Sequence, residues 1–557
     1  RTALYHFILL PYEAARLLDA ALRTLWRMLV SHRRLLEWTT SAQAERMRGD
    51  GIAVFWPNAL AAGAMLAATW THPLRFAAAL PVAALWLCAP LAAKRLNAPE
   101  ETERPLREPQ KELLRDVAAR TLRFFEDTVT EETNFLPPDN LQIEPDKGIA
   151  PRTSPTNIGM YLLALVCARE LELCETDEIC ARTEKTVSAV ERMETWRGHL
   201  LNWYDVRTLE ALPRRYVSTV DSGNFCACLL LCAQALRTRL AETDAAYRAL
   251  PERLDALAAR MDFAALYDGT AELFYIGMDL ETLSPGGAHY DLLASEARLT
   301  SFLAVMRREV PARHWRRLGR AMARAHGGAA LLSWSGTLFE YLLPALFLDA
   351  PHGTLLGESC RAAAKMQLNA FGSAPWGVSE SGYYAFDPEL SYQYHAFGLP
   401  RLSLRTERLS HVIAPYASAL ALSVLPREAA DNLARMKLMG WLSERGFYEA
   451  ADYDPARIPE NEEYMLVKSH MAHHQGMTMA AVCNALCGGA LTRYFRQLPQ
   501  VEAYALLLEE RAPGKKAIRS LSRVRRQPPK RQERGTAQRT PDPGAFPRET
   551  QILAGGG

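Results

Sequence analysis

The chain has almost no net charge. Its 65 Lys and Arg offset 63 Asp and Glu and leave +2 over 557 residues. That balance gives no electrostatic footprint for nucleic acid, so no nucleic-acid partner is expected. The basic residues are nevertheless uneven, gathering in residues 23–48 and after Lys515. Cysteine is scarce too, at ten residues, and no paired CxxC set occurs. Cys167, Cys226, Cys228, Cys232, Cys483 and Cys487 lie in apolar helical patterns and read as small core residues of a reducing compartment. Cys226-x-Cys228 is a weak metal signal by itself, and neither a metal nor a cofactor is expected. No repeat of fixed period appears, which argues against an open solenoid.

What is present divides the chain into five parts. Residues 1–50 alternate Leu17, Leu18, Leu22, Leu25, Trp26 and Leu29 with Arg23, Arg27, Arg33 and Arg34, the pattern of a basic amphipathic helix lying on a membrane surface. Residues 51–95 hold two uncharged runs, 51–74 and 76–93, separated by Arg75. Each is about long enough to span a bilayer, with Thr71-His72-Pro73 as the tip of the hairpin. The basic stretch before them places the N-terminus in the cytoplasm. Two spans return the chain there, so the large domain is expected at the cytoplasmic face of an inner membrane. Residues 96–109 are a Pro/Glu-rich linker, 110–510 the main domain, and 511–557 a basic, disordered tail.

The main domain shows about twelve helical stretches, near 108–129, 155–174, 177–193, 222–241, 246–260, 291–308, 311–324, 335–347, 354–370, 412–423, 426–441 and 466–487, each with the 3.6-residue period. Short and long connections alternate. That puts the long loops of antiparallel helices on one face, and six such pairs closing on themselves make an all-α (α/α)6 barrel with a loop-built mouth.

The long loops carry the chemistry. The run 371–411 does not read as helix and surrounds Glu380 with Trp376, Tyr383, Tyr384, Tyr392, Gln393, Tyr394 and Phe397. Rings beside a carboxylate suit a sugar; the blander reading is a packed loop with a solvated Glu380. Glycosyl transfer needs two carboxyl groups. Asp205, Asp221, Glu296, Glu340, Glu380 and Glu449 compete, although Asp221 reads as a helix cap and Glu340 as a satisfied core acid. His473 and His474 diverge on a helix, which suits hydrogen bonds to sugar better than a metal. The other expected sugar contacts are Arg152, Asn157, Trp203, Tyr290 and Gln475.

Several ordered motifs resemble the central region of bacterial cyclic β-1,2-glucan synthases. They are Arg152-Thr153-Ser154-Pro155-Thr156-Asn157-Ile158-Gly159, Leu201-Asn202-Trp203-Tyr204-Asp205, Tyr216-Val217-Ser218-Thr219-Val220-Asp221-Ser222-Gly223-Asn224, Tyr290-Asp291-Leu292-Leu293-Ala294-Ser295-Glu296-Ala297-Arg298, Ser333-Trp334-Ser335-Gly336, Trp376-Gly377-Val378-Ser379-Glu380-Ser381 and Ala472-His473-His474-Gln475-Gly476-Met477. The resemblance runs from Leu25-Trp26 to about Arg511. It implies a glucoamylase-like cyclization domain with an (α/α)6 barrel, acting on linear β-1,2-glucan by anomer-retaining transglycosylation. It implies Glu380 as nucleophile and Glu296 as acid/base, with exchanged roles or a relay through a substrate hydroxyl still open. The family's glycosyltransferase and phosphorylase-like modules are not visible here and would be partners.

A carboxylate near a helix start favours its ionised form. For Glu296 to act as an acid, burial or a neighbour such as Asp291 must raise its pKa. The rival functions are an endo-β-1,2-glucanase, separated by linear products, and a non-catalytic glucan-binding domain, against which the presence of both Glu296 and Glu380 weighs.

Overall fold

A computed structural model of the chain describes residues 2–33, 52–96, 104–239, 244–325, 328–405 and 409–512. The basic segment around Arg34 and Trp38, half of the expected linker and all but the first two residues of the basic tail lie outside the described residues. The chain divides into two units, Arg1–Thr102 and Glu103–Gly557.

The first unit is helical. Helix α1 (Thr2–Trp26) packs on a hairpin of α2 (Trp56–Thr69) and α3 (Pro73–Leu87), and α4 (Ala89–Leu96) follows. Ala62, Ala79 and Ala83 are buried, and such small residues let helices approach closely. The buried Asn58 amide ties the three helices, donating to the Ile8 and Trp86 carbonyls at 2.8 and 3.0 Å. Leu60, Trp70, Leu74 and Leu91 are exposed. The expected hairpin tip is where the chain turns. The expected first span is one 3-10 turn (Ile52–Phe55) and the 14-residue α2, together at the short end of the about 17–25 residues a span takes. Among the described residues, two helical runs are long and apolar enough to cross a membrane: Pro73–Arg95 here, and Thr219–Arg237, which is mostly buried within the second unit.

The second unit is mostly helical. Its helices are α5 (Glu108–Thr128), α6 (Pro155–Glu170), α7 (Thr176–Val190), α8 (Thr219–Arg237), α9 (Leu250–Arg260), α10 (Arg298–Met306), α11 (Arg313–Arg317), α12 (Leu338–Leu342), α13 (Leu355–Phe371), α14 (Pro415–Leu420), α15 (Pro426–Leu438) and α16 (Ala472–Leu486), followed by two short C-terminal helices. Each expected stretch contains helix. Sequence caps set several starts: Ser154 and Ser218 Oγ accept from the amides of Asn157 and Asp221. Ser218 is thus the cap of α8, and Asp221, read as the cap, lies one turn inside.

Helices α6, α8 and α16 are buried on nearly every side, whereas α5, α9 and α15 keep polar faces. Helix α6 packs on α8, α8 on α10, α12 on α14 and α14 on α16, while α16 also packs on α6. Between α10 and α12 the link is the buried Arg298, which donates to the carbonyls of Glu340 and Tyr341. The stretch 291–308 becomes helix only at Arg298. Residues 311–324 hold just one turn and a half, because the chain leaves α11 at Leu318 and enters a strand at Met322.

Short strands fill the connections. One sheet has the order β6-β5-β4-β3-β2, built from β2 (Arg152–Thr153), β3 (Asn202–Asp205), β4 (Ala211–Ser218), β5 (Gly277–Asp279) and β6 (Ser284–Pro285), where β1 is Asn140–Gln142. It joins three of the long connections. The run 371–411 forms a hairpin of β7 (Glu380–Phe386) and β8 (Tyr392–Ala396), with Glu380 opposite Ala396 and Gly382 opposite Tyr394. Strand β9 (Ala450–Asp452) pairs with β10 (Met465–Val467). Strand β11 (Ser469–Met471), just before α16, pairs with β1.

Candidate active site

Glu296 lies in the turn that enters α10, and its carbonyl accepts from the Leu299 amide. Ser295 Oγ donates to its carboxylate at 3.2 Å. Two residues on, Arg298 is buried with its guanidinium spent on the carbonyls of Ser295, Glu340 and Tyr341. Glu340 closes a capping box at the start of α12, accepting from Ser333 Oγ, Thr337 Oγ1 and the amides of Ser335 and Thr337 at 2.8–3.1 Å. It is a satisfied core acid, as expected, but at a helix start.

Glu380 opens β7. Its carbonyl accepts from the Tyr416 hydroxyl at 2.8 Å, and the same hydroxyl reaches Ser379 Oγ. Glu380 and Glu296 lie deep in the protein yet both keep part of their surface exposed to solvent. Burial, then the charges of Glu296 and Glu340, pushes the Glu380 carboxyl up to about 8, against a hydrogen bond from Tyr394 that lowers it. Burial, then Glu340, raises Glu296 to about 7. The raising expected of Glu296 therefore occurs, but the neighbour is Glu340. Asp291 instead accepts the Trp334 indole N–H at 2.8 Å. Tyr290 completes the group: burial raises it well above its ordinary value, followed by the charges of Glu296, Tyr216, Asp221 and Glu380.

A second group adjoins this one. Buried Asp139 accepts from Arg152 Nη2 and Asn157 Nδ2, each at 3.2 Å. The Arg152 guanidinium lies 5.0 Å from the Trp203 ring centre. His473 Nδ1 meets Asn157 Oδ1 at 3.2 Å. His474 Nδ1 stands 3.0 Å from both Glu449 oxygens, and Glu449 also accepts from the Gly382 amide. Burial lowers both imidazoles to about 3 and raises Glu449 to about 7, so the histidines are neutral.

Several expected sugar contacts are used elsewhere. Trp376 is fully buried as a core ring, not at a mouth. Asp205 accepts from the amides of Arg207 and Thr208 and shapes the turn leaving β3. Gln475 donates to the Phe447 carbonyl. Gln393 alternates with Tyr394 along β8 and so faces away from the Glu380 side of the hairpin. Tyr392 donates its hydroxyl to the Glu144 carbonyl. Sequence reasoning missed Tyr416, which sat inside an apolar helical pattern, and Asp139, and did not weigh Tyr216 or Arg298 although both stood in a quoted motif. The two-residue offset of a basic residue from a candidate acid was the one available signal, for Arg298.

The chain matches the Glycoamylase family, described as "Putative glucoamylase", over residues 288–499. It is 33% identical to the cyclic β-(1,2)-glucan synthase NdvB of Rhizobium meliloti over 91% of its own length, and it spans 22% of that relative. It also superposes on solved structures. An endo-β-1,2-glucanase from Chitinophaga pinensis, bound to sophorotriose and glucose, has a TM-score of 0.58 at 18% identity, covering 72% of this chain and 98% of that one. An endo-β-1,2-glucanase from Talaromyces funiculosus, bound to sophorose, has the same score at 12% identity, covering 74% and 90%. The resemblance read from the motifs is borne out, and the second unit has the fold of these proteins.

Proposed function

We propose that the second unit is an (α/α)6 barrel that cyclises linear β-1,2-glucan by anomer-retaining transglycosylation. The observation that carries the reading is the convergence of two partly exposed carboxyls, Glu296 and Glu380, in a chain related over nearly its whole length to a cyclic glucan synthase. The succession of buried helices in which α16 packs back on α6 supports the barrel.

In this reading Glu380 attacks the anomeric carbon and the bond to the leaving glucan oxygen breaks. Glu296 delivers a proton to that oxygen, directly or through a substrate hydroxyl. Glu296 then takes the proton of the incoming hydroxyl, which displaces Glu380 and restores the anomer. The two carboxyls are both raised and repel one another, so near neutral pH they share about one proton. Burial holds that proton within the pair. Substrate moves it: positive charge growing at the anomeric carbon favours ionised Glu380, and the leaving oxygen accepts from Glu296. Tethering the acceptor to the same chain raises its effective molarity over water. Tyr290 would line the site, and Arg152, Trp203, Asn157 and His473 would contact the glucan beside it.

The exposed apolar surface of α2 to α4 supports insertion of the first unit in a membrane, with the second unit on the cytoplasmic side and the synthase's glycosyltransferase and phosphorylase-like modules as partners.

The test is to incubate the intact chain with linear β-1,2-glucan and analyse the products by mass spectrometry. Products lighter than the linear species by one water establish cyclisation. Linear fragments alone replace it with hydrolysis, and an unchanged glucan with a folded protein removes the catalytic reading. Azide rescue assigns the roles: Glu380→Ala should yield the inverted glycosyl azide and Glu296→Ala the retained one.

A further inference from the structure

Tyr394 and Glu380 sit diagonally on one face of the β7–β8 hairpin, since Glu380 pairs with Ala396 and Gly382 with Tyr394. Diagonal neighbours of this kind are within reach of an aromatic side chain. Behind the Tyr394 hydroxyl lies His474 Nε2, at 3.4 Å. Behind His474 lies Glu449, with both oxygens 3.0 Å from Nδ1. Gly382 leaves room beside Glu449: a Cβ there would come a tight 3.3 Å from Glu449 Cγ, and its amide donates to Glu449 at 3.0 Å. Tyr416 stacks on the imidazole and holds its plane. The four side chains thus form one line, Glu449–His474–Tyr394–Glu380.

We propose that Tyr394 is a positioning residue whose hydroxyl hydrogen is directed onto the Glu380 carboxylate by a protonated Glu449 acting through neutral His474. The inference rests on Glu380 being the nucleophile. Glu449 and His474 are buried side by side with 3% and 1% exposure. Such surroundings disfavour a charge on either. A neutral carboxyl donates to Nδ1, which places the imidazole hydrogen on Nε2 and turns it toward the Tyr394 oxygen. Tyr394 then has Glu380 as its acceptor. The direction of the pKa shifts agrees: Glu449 is raised and His474 lowered, both chiefly by burial. Glu449, His474 and Tyr394 therefore serve Glu380 rather than the sugar.

The groups facing Glu380 are Glu296, Glu340, Asp221, Tyr290, Tyr394 and Tyr416. Those facing Glu449 are Asp139, His473, His474, Tyr394 and Tyr416. Only the hydrogen bond from Tyr394 favours ionised Glu380 among the side chains of the first set. Its loss should raise the pH below which activity fades.

The experiment measures kcat, KM and the pH profile of the intact chain on linear β-1,2-glucan. Tyr394→Phe keeps the ring and should lower kcat about ten- to a hundredfold with KM little changed, moving the acid limb upward. Glu449→Ala should do the same. Glu449→Gln should recover most of that loss, because its amide donates to Nδ1 as the neutral carboxyl does. The double variant Tyr394→Phe/Glu449→Ala should lose no more than Tyr394→Phe alone. An unmoved acid limb in Tyr394→Phe, or a Glu449→Gln as damaged as Glu449→Ala, overturns the inference. Activity surviving in Glu380→Gln would instead overturn the assignment of the nucleophile on which it rests.

Discussion

The Tyr416 ring lies flat on the imidazole of His474, with centroids 3.6 Å apart and planes 8° from parallel. Its hydroxyl reaches the other way, to Ser379 Oγ at 2.9 Å and the Glu380 carbonyl at 2.8 Å. One side chain on α14 therefore fixes both the strand that presents Glu380 and the imidazole behind it. Tyr416→Phe keeps the stack and removes the hydroxyl that reaches Ser379 Oγ and the partly buried Glu380 carbonyl, a loss of about 0.5–1.5 kcal/mol. Tyr416→Ala also empties a core position and should cost about 3–5 kcal/mol. Denaturant unfolding of the two variants should show that order, with kcat reduced in both. A Tyr416→Phe variant with unchanged stability and turnover would remove Tyr416 from this role.

Glu380 also makes the second unit pH-sensitive. Its carboxyl binds a proton more tightly folded, at about 8, than unfolded, near 4.5. Between those values the folded state holds more protons than the unfolded one, so stability is full below the unfolded value and falls as pH rises through the folded one. Replacing the acid with a neutral isostere removes that loss. Glu380→Gln should therefore raise Tm relative to wild type at pH 8 and much less at pH 4, while abolishing cyclisation. Equal Tm differences at both pH values would contradict the burial of this carboxyl as the cause. The gain would place Glu380 among residues that trade stability for function.

Much of this was legible in the sequence. The helical period located α5 to α10 and α12 to α16, because apolar spacing and caps such as Ser154 are local signals. It overran at α10 and α11, where Leu292, Leu293 and Leu318 are buried by tertiary contacts rather than by a helix face. The two acids were among six that the long loops offered, and the family resemblance singled them out. Glu340 was named as a core acid but not as the neighbour that raises Glu296, since it lies 44 positions away and meets it only across the α10–α12 contact. Trp376 was misread for the same reason: a ring beside a candidate acid in the sequence is a core ring in space. Strand parity, which turns Gln393 away and Tyr394 inward, becomes visible only once the β7–β8 register is known.

Gly223 sets the distance between α8 and α10. A Cβ on it would fall 1.8 Å from Thr300 Oγ1, 2.7 Å from Thr300 Cβ and 2.9 Å from Thr300 Cα. Rotation of one hydroxyl cannot relieve contacts that include the backbone, so Gly223→Ala must move a helix. Thr300 lies one turn beyond Glu296, and its hydroxyl donates to the Thr219 carbonyl at 3.3 Å. The displaced helix is therefore the one whose entry turn carries Glu296. Overpacking of a core typically costs about 1–3 kcal/mol. A shift of about 1 Å at a reacting group can cost on the order of a hundredfold in rate. Gly223→Ala should accordingly lose turnover far more than its drop in Tm suggests. Thr300→Ala in the same chain removes the closest atom but leaves the 2.7 Å contact, so it should restore only part of both. A Gly223→Ala protein with wild-type Tm and kcat would show that the α8–α10 contact does not hold Glu296 in place.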